Sequence, residues 1–296
     1  MNCLLSQENA MQGTLLAFLT DGLLIGFVYG IAAMGLTLIW GVMDVINLAH
    51  GPIIALGMFG VYLAFVNYGI NPYLGLILVA VVGLLFGMIM YYVAIARVID
   101  GPHLSTLLAT FSVNMILIGL GTTAFSTSPR NVDISLGSIS MGPVTVLGTR
   151  LVAALMAVGV TGLLYLFLYR TTWGKYVRAV ANNRSAAELM GIPSARVLAL
   201  SFGIGTMLAA IAGGLIATFF PFTILSGGTY ELKSFVIGVL GGLGNPLGAL
   251  LGGLILGVLE GVIPAFMPTV WVPVIEFVLF VVILLVRPSG LLGAKQ

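Results

Sequence analysis

The 296-residue chain is 60% hydrophobic and 7% charged, with a mean hydropathy of +1.18. A soluble domain carries about a quarter of its residues as charged side chains to keep its surface in water, so the composition excludes one and leaves a polytopic membrane protein. The formal net charge of +2 is spread over loops rather than gathered in a patch, which speaks against a nucleic-acid partner.

The lone cysteine, Cys3, excludes an internal disulfide, and its position ahead of any apolar run argues against a lipid-anchored terminus. No Lys or Arg precedes Arg97. The first apolar stretch therefore lacks the basic segment of a cleavable signal and reads as a retained span.

An apolar helix needs roughly 20 residues to cross the hydrocarbon core, at about 1.5 Å of rise per residue. That ruler selects residues 14–40, 51–66, 72–96, 104–125, 151–169, 197–220, 247–263 and 271–286, eight candidate spans of an all-α bundle forming one transmembrane domain. Residues 230–243 are apolar but too short to cross unaided. They are expected to form a broken or re-entrant half-helix, which is tolerated only where protein covers its end.

Two interruptions stand out. One, GVMDVINLAHGP from Gly41 to Pro52, separates the first two spans; the other, GGLGNPLG from Gly241 to Gly248, follows the half-helix. Interrupted membrane segments mark places where backbone and polar side chains line a pathway rather than face lipid. The candidate pathway residues are Asn47, His50, Gly51, Gly241, Gly242 and Asn245, with Asn114 in the fourth span added as a polar group at membrane depth. For Asn47 and His50 the competing reading is that they cap helix ends.

The segment 126–150 is rich in Ser, Gly, Pro and Thr and long enough for a docking surface, with Ile134, Leu136, Ile139 and Met141 suggesting a short strand pair. The segment 170–196 is the one long polar stretch. It holds Arg170, Lys175, Arg178, Arg184 and Arg196, and its centre reads as one short helix. Ser185 and Glu188 have the spacing of a reciprocal N-terminal cap, and Gly191 and Pro193 supply the stop. Placing this segment in the cytoplasm puts Arg97, Arg170, Lys175, Arg178, Arg184, Arg196, Arg287 and Lys295 inside and leaves Arg130, Arg150 and Lys233 outside, as the positive-inside rule requires. Parity then puts the N-terminus and residues 126–150 outside.

Many of the 40 glycines fall inside spans at four-residue spacing, as at Gly26/Gly30, Gly83/Gly87, Gly238/Gly242 and Gly253/Gly257/Gly261. Such spacing lets helix backbones approach closely in lipid and speaks to packing. Glu260 and Glu276 lie within spans without a basic residue at i+3 or i+4, so they are expected near helix ends or against backbone donors. Two glutamates and two histidines make a poor proton relay. No phosphate-binding loop, zinc motif or nucleophile elbow is present, so neither catalysis, nor a cofactor, nor a metal is implied. Hydrolysis that powers transport must then reside in another subunit.

Four separated stretches carry a resemblance: GLTLIWGVMDVINLAHG (Gly35 to Gly51), RAVANNRSAAELMGI (Arg178 to Ile192), GVLGGLGNPLGALLGGLILGVLE (Gly238 to Glu260) and RPSGLLG (Arg287 to Gly293). Together they resemble the permease subunits of branched-chain amino acid ABC transporters, in particular the shorter of the two paralogous permeases. The resemblance implies an importer in a prokaryotic inner membrane, working with cytoplasmic ATP-binding subunits, a second permease chain and an extracytoplasmic substrate-binding protein. It also maps the ATPase-coupling helix onto Arg184, Ser185, Ala187, Glu188, Gly191 and Ile192. Relatives with the same motifs serve urea, short amides or other amino acids, which is the alternative cargo. An ion-coupled secondary carrier acting alone is the alternative of another class.

Overall fold

The computed structural model describes residues 2–141, 144–287 and 290–293, and of these the side chains from residue 15 onward except that of Met141. The side chain of Cys3 and all of Lys295 therefore lie outside the described residues. In chain order the elements are α1 (Asn2–Met43), α2 (His50–Tyr68), α3 (Pro72–Met90), α4 (His103–Phe125), the hairpin β1 (Ser138–Met141) and β2 (Val144–Leu147), α5 (Gly148–Arg170), α6 (Thr172–Asn182), α7 (Arg184–Leu189), α8 (Ser194–Ile216), α9 (Ser226–Gly241), α10 (Pro246–Val262) and α11 (Trp271–Val286).

Seven of these helices are long and apolar enough to cross a membrane. The eighth expected span is α11, whose 16 residues rise about 24 Å, short of a ~30 Å hydrocarbon core. The expected half-helix is α9, also of 16 residues but starting at Ser226, earlier than the apolar run itself. The expected strand pair forms as an antiparallel hairpin that joins Ser138 to Leu147 and Met141 to Val144. Ile134 and Leu136 precede it. Val146 of the hairpin packs with Leu24 of α1 and Ala154 of α5.

Helices α1 and α8 form the centre of the bundle, and α3, α4, α5 and α10 each turn much of their surface outward. The glycine spacing explains the tightest seam. A methyl group added at Gly26 would lie 2.8 Å from Gly253 O, and one at Gly257 would run into the backbone of Gly22 and Gly26. Helices α1 and α10 thus meet backbone to backbone, the contact that small residues permit in lipid. Gly83 and Gly87 do the same for α3 against α8, where Thr206 Oγ1 also donates to Gly83 O at 2.9 Å.

The two ends of the bundle differ. At one end Arg184 Nη1 lies 2.7 Å from Asp100 Oδ1, and the same end gathers Arg97, Arg170, Lys175, Arg178, Arg196 and Arg287. At the other, Arg150 Nη1 lies 2.6 Å from Asp21 Oδ2, and Arg130 and Phe222 exchange backbone hydrogen bonds of 2.8 and 2.9 Å. Lys233 belongs to neither end. It was expected on the outer side, within the half-helix, but α9 carries it into the bundle, where it pairs with Glu260.

Candidate coupling helix and translocation pathway

The polar stretch at the basic end forms α6 and then, at its centre, the short helix expected there, α7. In α6 the buried Gly174, Val177 and Val180 face the bundle while Lys175 and Arg178 face out, the amphipathic pattern of a helix lying along a surface. The cap of α7 is Asn183, not Ser185. Asn183 is extended at φ −159°, and its side-chain oxygen accepts from the Ala186 amide at 2.9 Å. Ser185 falls one residue inside the helix and is exposed. Two consecutive asparagines precede it, and the second takes the capping position that favours Asn and Ser alike.

Glu188 is freed from capping and does something else. It accepts from Arg184 Nε at 3.2 Å and from the hydroxyl of Ser194, the first residue of α8. The Ser194 hydroxyl first, and then Arg184, hold the Glu188 carboxyl below the ordinary glutamate range. Gly191 ends the turn at φ +80°, a conformation costly for any residue with a Cβ. Ala187 is buried, and its carbonyl receives the Ile192 amide at 3.1 Å. The short helix is thereby fixed to α8, one of the two central helices, with Leu189 and Met190 left 89% and 82% exposed at its tip.

The first interruption carries the chain back into the bundle. Asp44 at φ +52° turns the backbone after α1, and Ile46 O accepts from Thr110 Oγ1 of α4 at 3.0 Å. His50 Nε2 then pairs with Ala32 O at 2.9 Å, eleven residues before the end of α1 and so about 16 Å back along it. Helix α2 therefore begins deep inside the structure. Asn47 Oδ1 accepts from the Ala49 amide at 3.1 Å, a local turn just ahead of α2 and not a cap of it. Yet Asn47 Nδ2, His50 Nδ1 and, one turn beyond Thr110, Asn114 Oδ1 are buried atoms with no hydrogen-bond partner among the described residues.

Sequence reasoning missed Glu231. Pro52 has no amide to offer, and the Glu231 carboxylate of α9 lies against the first turn of α2, its Oε2 2.5 Å from where a Cβ on Gly51 would stand. A carboxylate at a helix N-terminus is favoured by its orphan amides. The only signal available was the absence of a local cap for α2.

The second interruption lies apart from the first group. Gly241 packs on the backbone of Gly248, and Gly242 ends α9 at φ +103°. Asn245 is a cap: its Oδ1 accepts from Leu247 and Gly248 at 3.0 and 3.2 Å, and its Nδ2 donates to Leu292 O at 3.0 Å. The two interruptions touch where a Cβ on Gly41 would lie 2.6 Å from Gly244 Cα. Beside that contact a cleft of about 480 Å³ opens at the basic end, lined among others by Gly41, Arg178, Asn182 and Asn245. Asn47, His50 and Gly51 thus form one deep group, and Gly241, Gly242 and Asn245 a separate group at the end.

Glu260 lies near the end of α10, one of the two expected placements, but neither it nor Glu276 turns to a backbone donor; both surround Lys233. Its Nζ lies 2.5 Å from Glu260 Oε2 and 3.9 Å from Glu276 Oε1, while the Tyr29 hydroxyl donates to Glu260 Oε1 at 3.3 Å. The basic partner comes from another helix, so spacing along α10 or α11 could not reveal it.

A bundle of span-length helices with polar breaks at depth, and an anchored helix projecting from one end, defines a multi-pass membrane permease. The profile for the permease component of branched-chain amino acid transport systems matches residues 18–286, and the chain belongs to that family. As a permease component it is not itself an ATPase. It is 31% identical over 93% of its length to the high-affinity branched-chain amino acid transport system permease protein LivH of Escherichia coli, covering 94% of that protein. It is 30% identical to the corresponding BraD of Pseudomonas aeruginosa over 94% of this chain and 95% of that protein. A fructose import permease protein, FruG of Bifidobacterium longum, is 29% identical over 56% of this chain and 50% of its own length.

Proposed function

We propose that this chain imports branched-chain amino acids as one membrane subunit of an ATP-driven complex, with its basic end in the cytoplasm. Its partners in this reading are cytoplasmic ATP-binding subunits, a second permease chain and an extracytoplasmic substrate-binding protein. The observation that carries the proposal is the fastening of α7 to Ser194 through Glu188. A helix that receives force must be rigidly joined to what it moves, and α8 runs through the centre of the bundle with its first residue held by α7. The exposed Leu189 and Met190 suit insertion into a groove on a motor subunit, and closure of the motor pair would shift the bundle between packed states.

The deep group supports a route for a zwitterion with an apolar side chain. Asn47, His50 and Asn114 offer polar atoms with no hydrogen-bond partner among the described residues, and a small-molecule path needs a few such groups in apolar surroundings. Residues 126–150 form the outward face that would meet the binding protein.

The test is uptake of leucine by proteoliposomes holding the whole complex, with ATP inside. Gly191→Pro and Glu188→Lys should leave ATP hydrolysis running while ATP-driven uptake falls by about an order of magnitude, because the first forbids φ +80° and the second reverses the charge that Ser194 and Arg184 hold. Unchanged uptake in both variants overturns the coupling role. Uphill uptake by the chain alone, driven by an ion gradient, overturns the ATP-driven reading. Transport of urea in place of leucine would reassign the cargo.

A further inference from the structure

We infer that the groove between α3 and α5 is a binding site for one anionic phospholipid, with its phosphate on Arg196 and one acyl chain along α8. Helices α3 and α5 do not pack on each other, and both lean on α8. The space left between them holds two adjoining cavities, of about 450 Å³ nearer the basic end and about 400 Å³ deeper in the bundle. They share Phe167 and Leu200 as walls, so they form one trough.

The trough is polarised. Its deep part, which reaches Ile211, is lined wholly by apolar side chains. Its mouth is framed by Tyr92, Trp173 and Arg196. From Arg196 to Ile211 is fifteen residues, or about 22 Å of helix, which exceeds half of a ~30 Å hydrocarbon core and accommodates a chain from one leaflet. Trp and Tyr prefer the level where headgroups meet acyl chains.

Charge selects the headgroup. Among the described residues no carboxylate forms an ion pair with Arg196, Arg170 or Lys175, and all three side chains are exposed at this end. The basic residue that does have an acidic partner here is Arg184, held by Asp100 and Glu188. A guanidinium takes a phosphate through two parallel donors, and the indole N–H of Trp173 adds a third. A zwitterionic headgroup would set its own cation against this cluster, so an anionic lipid is the occupant. The site lies two residues beyond Ser194, which fastens the coupling helix, so the lipid would brace the base of that lever.

Trp173 reports on its own neighbour. In full-length chain carrying Trp40→Phe and Trp271→Phe, reconstituted in phosphatidylcholine vesicles, its fluorescence would be quenched by phosphatidylglycerol or phosphatidylcholine brominated on the acyl chains. Quenching should show about fivefold enrichment of the glycerol lipid, the preference that one basic residue confers near an anionic surface. Arg196→Gln should abolish it and Arg196→Lys should retain most of it. A matching chain with Trp271 as the sole tryptophan, at the opposite end, should show none. Equal quenching by both lipids, a preference that survives Arg196→Gln, or one of equal size at Trp271 would overturn the site.

Discussion

Replacing Lys233 by methionine tests whether charge pairing, and not apolar packing alone, holds α9 in place. The lysine is 12% exposed at its side chain, Glu260 23% and Glu276 6%. Methionine matches the length of the stem, so the change removes the charge and little volume. It leaves two carboxylates in the interior with the Tyr29 hydroxyl as the remaining donor to Glu260. Removing one partner of a buried pair costs about 3–5 kcal/mol, a large fraction of the 5–15 kcal/mol that ordinarily separates folded from unfolded chains.

The rest of the cluster sharpens the expectation. Glu276 Oε1 has no hydrogen-bond partner and lies 3.9 Å from Lys233 Nζ, so Glu276→Gln alone should cost less than about 1 kcal/mol. The triple variant Lys233→Met, Glu260→Gln, Glu276→Gln carries no charge there and should recover to within about 1 kcal/mol of the parent, since a neutral replacement of a buried cluster is often no less stable. The assay is equilibrium unfolding of the full chain in mixed micelles, followed by tryptophan fluorescence and extrapolated to zero denaturant. A loss below about 1 kcal/mol for Lys233→Met, or a triple variant as unstable as the single, would refute the argument.

Three further outcomes follow from local geometry. Because Ser194 and Arg184 lower the carboxyl of Glu188, the tie from α7 to α8 is fully present above the ordinary glutamate range and is lost as pH falls through the depressed value. Hydrogen exchange at Ala186 to Met190 should keep its protection through that ordinary range, and Ser194→Ala, which removes the tie itself, should lower the protection at every pH. Asn245→Ala removes the cap of α10 and the strap to Leu292, for which a loss of about 1–2 kcal/mol is expected by unfolding in micelles. Gly257→Leu drives a side chain into the backbone of α1 at Gly22 and Gly26, and it should lower stability by at least about 1–3 kcal/mol while Gly159→Leu, which has nothing within 4 Å, changes it little.

What could be read in advance was what depends on local pattern. Apolar run length placed the spans to within a few residues, Gly spacing found the α1–α10 seam, and the S-x-x-E, Gly and Pro signals located a helix at 184–189. Pairing across helices was hidden. Lys233 falls within the expected half-helix, but nothing in its spacing shows that it turns inward to Glu260, and Ser226 to Thr229 extend that helix, with Gly227 backed by Gly51. Ser185 lost its capping role to Asn183, two residues earlier, a shift that spacing alone does not resolve. Asn245 carries the same composition signal whether it lines a path or caps a helix, and here its amide is spent on Leu247, Gly248 and Leu292.

The placement of polar groups along α9 has a mechanical consequence. A 16-residue helix cannot be held by apolar surface matching alone in lipid, where neighbouring tails are as apolar as its own side chains. It is instead pinned on several sides: Glu231 to the first turn of α2, Lys233 to α10 and α11, Gly238 against Thr37 of α1, and its last carbonyls to the amides of Leu291 and Leu292. Glu231 and Lys233 lie two residues apart and so point about 200° from each other around the helix, which leaves α9 little room to rotate without breaking one tie. Sliding along its axis would disturb both at once, together with the Gly41–Gly244 contact below. Movement of the deep Asn47–His50 group relative to α10 therefore has to release one of these ties, and that makes this short helix the joint between the broken part of the bundle and its glycine-packed seam.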